Sequence, residues 1–165
     1  MSWLNDKLEA PLRKALVNPH YKPVIAKIEA AQRNGVTSRE IRDVAVRGMR
    51  ERWVVEGRKL DPEDIRSEAF LAASAAAVDK PYQLADTPEG EDKAQHLFVS
   101  GTLSSYIDST LEKALFVPGI VRRGLALGLT MTVGFFKEVA DIFTTGFSTG
   151  DLKADWLGAT APFRK

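Results

Sequence analysis

Acidic and histidine side chains recur on otherwise apolar segments in the second half of the chain, between residues 91 and 159. If these segments are helices, the residues form three pairs, each three or four positions apart, and each pair shares one helix face with Cβ atoms about 5–6 Å apart. The pairs are Asp92 with His96, Glu138 with Asp141, and Asp151 with Asp155. Because a buried carboxylate is unfavourable unless it is paired, these pairs predict a metal site, a proton-sharing cluster, or incomplete burial.

A metal site is the more specific of these interpretations. One imidazole with carboxylates from three helices forms a hard, oxygen-rich donor set that suits a divalent ion (Mg, Mn, Fe or Zn) with an open position. The predicted ligands are His96, Glu138, Asp141 and Asp155. Such an ion would acidify a bound water for hydrolysis and Asp92 could accept the proton, so Asp92, together with Lys137, is a candidate catalytic residue.

The alternative is a polar network without chemistry. Lys93 and Lys137 could neutralise Glu138 and Asp141, and such a network can fix the register of packed helices. Asp151 has a simple structural explanation, because Ser148 is a predicted N-cap and an acid in the first turn of a helix is stabilised by the helix dipole.

Two functions from different classes follow. The first is a metal-dependent hydrolase, and the second is a non-catalytic helical module that binds a partner protein or a membrane surface. A third, a peripheral membrane protein that uses Phe135, Phe136 and Phe143, ranks lower because these side chains are expected in the core. Signatures of serine nucleophiles, P-loops, HExxH metalloproteases and dinucleotide sites are absent from the sequence.

Helical periodicity and helix end signals dominate the whole chain. There is no strand-like alternation longer than four residues, so the sequence predicts an all-α fold, a single bundle of about seven helices. It divides into a helical half at residues 1–80, a linker at 81–91 and a second helical half at 92–165 within one compact domain. The start signals are the capping box Thr37-x-x-Glu40, the cap-and-proline pairs Asp61-Pro62 and Thr87-Pro88, and the N-cap Ser148, while Pro11 should kink or split the first helix.

Composition limits the partners and the compartment. A net charge of +1 gives no support for nucleic-acid binding, and the lack of cysteine excludes disulfides and thiolate metal sites. The uncharged, mostly apolar run of residues 124–136 is shorter than the roughly 20 residues of a membrane span, so a buried core helix is expected. Without a recognisable signal sequence, we expect a cytoplasmic protein or one exported without a cleaved signal peptide.

The order of these residues resembles a known family. Asp92-Lys93-x-x-His96-x-x-x-Ser100 is followed by Gly134-x-x-Lys137-Glu138-x-x-Asp141 and by Phe147-Ser148-x-x-Asp151-Leu152-x-Ala154-Asp155-x-x-Gly158. This order, over about 70 residues, is similar to that of the YfiM-like putative bacterial lipoproteins and, more distantly, of the VanZ-like proteins. The resemblance implies a bacterial or phage origin, a helical core and an association with the cell envelope, so an envelope component or a protein is the expected partner.

Overall fold

The residues that the structure describes form seven α-helices. The computed structural model describes residues 2–33, 35–90, 92–114, 118–141 and 148–163, and the side chains of all of these except residues 2–9, 114 and 139–141. The helices are α1 (Ser2–Val17), α2 (Lys22–Ala31), α3 (Ser38–Val55), α4 (Pro62–Asp79), α5 (Asp92–Ala114), α6 (Gly119–Asp141) and α7 (Thr149–Thr160), with a final 3-10 turn at Ala161–Phe163. These residues contain no strand, and the predicted all-α fold is confirmed.

Two predicted helix starts are confirmed by hydrogen bonds. The Thr37 hydroxyl accepts from the Glu40 amide at 3.3 Å, and the Glu40 carboxylate accepts from the Thr37 amide at 2.9 Å, which completes the capping box. Asp61 accepts from the amides of Glu63 and Asp64 at 2.8 and 3.1 Å. Side-chain oxygens therefore satisfy amides that the first turn of each helix leaves without a backbone partner.

One other predicted helix start is wrong, and of the kink or split predicted at Pro11 the split is absent. The fifth helix starts at Asp92 rather than at Thr87-Pro88, because the Thr87 hydroxyl donates to the Leu84 carbonyl at 3.1 Å instead of capping a helix. Gly90 then has φ of 126°, a conformation that side-chain-bearing residues rarely adopt and that no helix contains. The first helix is continuous through Pro11 and is not split there.

Helix α4 lies at the centre of the core. Its alanine-rich second half is almost fully buried, and the small side chains let α1, α2, α3 and α5 approach it from different sides. Phe70 of α4 meets Phe98 of α5 with ring centroids 6.4 Å apart. One continuous cluster of buried residues thus extends from the first four helices to α5, with Leu157 of α7 packed against it.

Helices α5 and α7 pack closely and in parallel. Lys93 lies beside Asp151, Ser100 beside Asp155, and Gly158 meets the backbone carbonyl of Leu97 so tightly that a Cβ on this glycine would overlap the Leu97 oxygen. The crossing therefore requires glycine at position 158. Because the contact joins two backbones, it fixes how α7 presents its acidic residues to α5.

Helix α6 packs against α5 and α7 by a narrow stripe of every fourth residue. The buried positions are Arg122, Ala126, Thr130, Gly134 and Glu138. The prediction that residues 124–136 form a buried core helix is wrong, since most of the other side chains in this run are exposed or half-buried. Phe135 and Phe136 are 49% and 64% exposed rather than in the core.

Candidate functional site

The candidate site lies where the start of α5, the start of α7 and the end of α6 meet. Asp92 is the first residue of α5, so Lys93 and His96 lie in its first two turns. Ser148 caps α7 by accepting from the Asp151 amide at 3.1 Å, as predicted, which places Asp151 and then Asp155 on the face toward α5. Exposure falls from Asp92, whose side chain is 54% accessible, to Glu138 at 1%.

His96 lies between two carboxylates. Its Nδ1 is 3.2 Å from Asp155 Oδ1, and its Nε2 is 3.5 Å from Asp151 Oδ2. The Ser100 hydroxyl also donates to Asp155 Oδ1, at 2.7 Å. A neutral imidazole carries one proton, and the shorter contact assigns it to Nδ1. The Nε2 lone pair then faces a carboxylate oxygen 3.5 Å away, and a second proton or a cation between the two atoms would turn this contact into an attractive one.

Lys93 is the ammonium group of the cluster. Its Nζ lies 2.8 and 2.9 Å from the two oxygens of Asp92 and 2.5 Å from Asp151 Oδ1. Burial opposes its charge, yet the two carboxylates raise the pKa of Lys93 above its usual range. Lys93 therefore balances one negative charge at the position where Asp92 and Asp151 converge.

Glu138 joins the end of α6 to the start of α7. Its Oε2 accepts from the Ser148 amide at 2.9 Å, and its Oε1 lies 3.2 Å from Lys137 Nζ. One turn earlier, Gly134 leaves the space that the Asp155 carboxylate fills, since a Cβ at Gly134 would lie 2.6 Å from Asp155 Oδ2. Asp155 thus takes the space beside Gly134, one turn before Glu138.

The acid Asp151 is stabilised in its charged form. Burial alone would raise its pKa, but the Lys93 ammonium, the neighbouring His96 and the Ser148 hydroxyl together hold the pKa below its ordinary value of 3.8. A carboxyl whose pKa is lower in the folded than in the unfolded chain stabilises the fold above the unfolded value, and this contribution is lost as the pH falls through the folded value.

The free energy of unfolding should therefore depend on Asp151 in acid. We expect it to fall between about pH 5 and pH 2 in the wild type, and to fall less steeply in Asp151→Asn, because asparagine takes up no proton. Urea unfolding followed by circular dichroism across this range measures both slopes. Equal slopes would contradict the assignment.

The predicted site residues come together only in part. In the described residues, one set of three potential ligands has donor atoms within 4.8 Å of one another: Asp92, His96 and Asp151. Asp155 instead binds the far side of the imidazole, and Glu138 binds Lys137 and the Ser148 amide. The side chain of Asp141 is outside the described residues. That His96, Glu138, Asp141 and Asp155 are metal ligands, and that Asp92 and Lys137 are catalytic, stays a prediction.

Sequence reasoning gave too little weight to Asp151. Ser148 as N-cap accounts for an acid in the first turn of α7, so the sequence predicts no site role for Asp151. The cap is confirmed, but it does not explain why Asp151 also lies beside Lys93 and His96. The signal was the spacing itself, because Asp151 lies one turn before Asp155 and so must share its face.

A second histidine has similar surroundings far from the candidate site. His20 Nδ1 lies 2.9 Å from Glu56, and Nε2 lies 2.7 Å from Glu68, which also accepts from Trp53 Nε1 at 2.7 Å. Arg58 Nη2 donates to Glu68 at 2.9 Å, so a permanent cation belongs to this cluster. This second cluster could not be recognised in the sequence, since its residues come from three segments without common periodicity.

The four described carboxylates of the candidate site face two ammonium groups. The acids are Asp92, Glu138, Asp151 and Asp155, and the cations are Lys93 and Lys137. With a neutral His96, these groups carry a net charge of −2. Three of the four acids are buried, which favours uptake of a further cation or proton.

Comparison of the chain with family models, with curated proteins and with solved structures gives no match.

Proposed function

We propose that the chain is a divalent-cation-binding helical domain whose ion is held by Asp92, His96 and Asp151. The observation that carries the proposal is the position of His96 Nε2, 3.5 Å from Asp151 Oδ2 while Nδ1 bonds Asp155. A histidine whose N–H donates a hydrogen bond to a carboxylate presents its second ring nitrogen as a metal ligand, and the carboxylate orients the ring. One imidazole and two carboxylates suit Mn, Fe or Zn.

Access and charge also support this assignment. Asp92 is exposed and provides an entry from solvent, whereas Asp155 is nearly fully buried behind the imidazole. A divalent ion would balance the two excess negative charges of the cluster. It would compete with Lys93, whose ammonium contacts the same two carboxylates, so Lys93 would have to rotate away when the ion binds.

Hydrolysis of an envelope-related substrate is the activity that we propose for such a site. A divalent ion with an open coordination position lowers the pKa of bound water and so supplies a nucleophile at neutral pH. The resemblance to YfiM-like and VanZ-like proteins suggests the envelope as the source of the substrate. In this proposal Asp155 is a positioning residue. Once Lys93 has rotated away, Asp92 would hold the ion through one carboxylate oxygen and could accept a proton on the other.

A non-catalytic module is the second candidate, and one observation favours it. Lys93 already links Asp92 to Asp151 with contacts of 2.5–2.9 Å, so a proton on His96 Nε2 would complete a paired network without any metal. The network would then fix the register of α5, α6 and α7. The two candidates differ in what happens when Lys93 is removed.

Metal titration of Lys93→Met discriminates between them. We expect untagged wild-type protein to bind one Mn²⁺ or Zn²⁺ per chain, and Lys93→Met to bind on the order of tenfold more tightly, because a competing positive charge is gone. His96→Ala and Asp151→Asn should lose the ion. Isothermal titration calorimetry, with elemental analysis of protein purified without chelators, measures these changes.

His20→Ala is the matched control, since it removes the other carboxylate-flanked histidine and should leave metal binding unchanged. Absence of binding in both the wild type and Lys93→Met, with a lower free energy of unfolding in Lys93→Met, would refute the cation site. The cluster would then be a structural network, and the hydrolase proposal would fall with the metal.

A further inference from the structure

Helix α6 has its polarity reversed relative to a helix on the surface of a water-soluble bundle. Its buried stripe contains Arg122, Thr130 and Glu138, and Arg122 pairs with Asp108 and Glu112 of α5 at 2.7 Å each. The opposite side is apolar and uncovered. A surface helix in water normally shows the contrary pattern, with its apolar stripe toward the core.

The exposed side chains of α6 are large. In this helix, the window Gly119–Glu138 is long and apolar enough to cross a membrane, with a mean hydropathy of 1.2, yet only 22% of it is buried. The large apolar side chains at least 46% exposed are Ile120, Val121, Leu125, Leu129, Phe135 and Phe136. A contiguous surface of this kind marks an interaction site rather than ordinary surface composition.

The width of this apolar surface favours lipid over a single packed helix as its partner. Residues that follow the buried stripe by two positions, such as Phe136, point straight outward, while Leu125 and Leu129 lie on one flank of the helix and Phe135 on the other. A single packed helix would cover a stripe of roughly 100° and leave one flank exposed. Acyl chains can surround all three sides at once.

The backbone and hydroxyl groups on the outer face also fit a lipid environment. Thr132 lies on this face, and its hydroxyl donates to the Gly128 carbonyl of the same helix at 2.8 Å. Polar groups in contact with hydrocarbon must be satisfied within the protein, because lipid offers them no partner. A polar side chain on the apolar surface of α6 therefore adds no unpaired donor.

Both ends of the apolar surface carry groups that favour the boundary between lipid and water. Arg123 is exposed at the beginning of α6. Trp156, 47% exposed, follows Asp155, whose carboxylate lies beside Gly134, and therefore lies near the other end. Tryptophan concentrates at membrane interfaces, and arginine attracts anionic headgroups.

We propose that the outer face of α6 inserts into one leaflet of a lipid bilayer that contains anionic lipid. Because α5 and α7 hold the polar side of α6, the axis of this helix lies along the membrane surface, and only its outer face reaches the acyl chains, to a depth of about 5–10 Å. The polar side of α6 stays on α5 and α7, and the bundle remains on the membrane surface. This inference is independent of whether the candidate site binds a metal.

Flotation of the full chain with vesicles tests the proposal. Wild-type protein should float with vesicles of phosphatidylcholine and phosphatidylglycerol, and less with phosphatidylcholine alone. The combined variant Leu125→Ser, Leu129→Ser and Phe136→Ser should lose at least about tenfold in vesicle partitioning, because three apolar contacts are removed. The matched control Val54→Ser with Val55→Ser, on α3, removes apolar side chains 61% and 76% exposed and should float like the wild type.

A label that reports polarity separates lipid contact from self-association. The chain has no cysteine, so Leu129→Cys and Val55→Cys can each carry one polarity-sensitive fluorophore. We expect a blue shift at position 129, and none at position 55, when vesicles are added. Wild-type protein that fails to float with either vesicle would overturn the proposal. Undiminished vesicle binding by the triple serine variant would also overturn it. So would a dimer of the wild type that forms without lipid and is lost in the triple variant, if neither the wild type nor the variant floats.

Discussion

Replacement of Gly158 by alanine should destabilise the protein by at least about 3 kcal/mol, because the new methyl group would overlap the backbone oxygen of Leu97. Overlap with a flexible side chain can be relieved by a rotamer change, but a helix carbonyl can move only if the helix moves. The two helices are close at a second point as well, since a Cβ on Gly101 of α5 would lie 3.2 Å from the Gly158 carbonyl oxygen. For a chain of this size the loss corresponds to a melting temperature lower by about 6–12 °C.

Gly124→Ala is the matched control for this prediction. Gly124 is also a helical glycine, but nothing lies within 4 Å of a Cβ built on it. Alanine there should raise the free energy of unfolding by about 0.5–1 kcal/mol, because it has the higher helix propensity. Thermal unfolding followed at 222 nm compares the two variants directly. A melting temperature of Gly158→Ala equal to that of the wild type would show that α5 and α7 can separate without loss, contrary to the packing described above.

The consequence for the candidate site follows from its position. Asp151, Asp155 and Gly158 lie along the same side of α7, and α7 meets α5 in parallel, so any displacement of α7 at Gly158 also displaces the two acids from His96. We therefore expect Gly158→Ala to weaken metal uptake as well, if the cation site is correct. Backbone contact and site geometry are two aspects of one helix crossing.

Local signals in the sequence predicted the fold well. Thr37 with Glu40, Asp61 and Ser148 each satisfy amides of their own helix, so the information that starts these helices is contained within four residues. Thr87 failed because its hydroxyl has a competing partner, the Leu84 carbonyl, that only the folded loop supplies. Helix starts are thus predictable where no tertiary partner competes for the cap.

The environment of α6 could not be predicted in the same way. An apolar run of 13 residues indicates burial, and the run does lie in a helix. Arg122, Thr130 and Glu138, however, recur every eight residues on the buried stripe and turn this polar side toward α5 and α7. That choice depends on acids of another helix, Asp108 and Glu112, that bind Arg122. Hydrophobicity alone does not state which side of a helix finds partners.

The candidate site was predictable as a set of faces but not as a set of contacts. Spacing placed Asp92 with His96 and Asp151 with Asp155, and the structure brings these two pairs together. Which carboxylate meets which ring nitrogen depends on the rotation and register of α7 against α5. This register is fixed where Gly158 meets the Leu97 carbonyl, a contact between residues that are 61 positions apart in the sequence. The hydrogen bond from the Ser148 amide to Glu138 is likewise a contact that no spacing in the sequence indicates.

Asp155→Ala should show the second large effect. Its carboxylate is 5% accessible and accepts from the Ser100 hydroxyl at 2.7 Å while it holds His96 Nδ1 at 3.2 Å, so truncation leaves two buried polar groups without their partner. Loss of such partners lowers the free energy of unfolding by about 2–4 kcal/mol. Asp92→Ala is the control in the same cluster, because Asp92 is 54% accessible and its ion pair with Lys93 contributes at most about 1 kcal/mol.

A purely structural role and a positioning role for Asp155 predict different results for Asp155→Asn. Asparagine keeps the shape, and its carbonyl oxygen can still accept from Ser100 or from His96 Nδ1, so most of the stability should return. Without the negative charge, however, the imidazole is a poorer ligand, and metal affinity should fall by about 10–100-fold relative to the wild type. Urea unfolding gives the free energy of unfolding, and calorimetric titration with Zn²⁺ gives the metal affinity, of the wild type, Asp155→Ala and Asp155→Asn. Recovery of stability together with unchanged metal affinity would show that Asp155 does not orient His96 toward an ion, and it would confine Asp155 to packing α7 against α5.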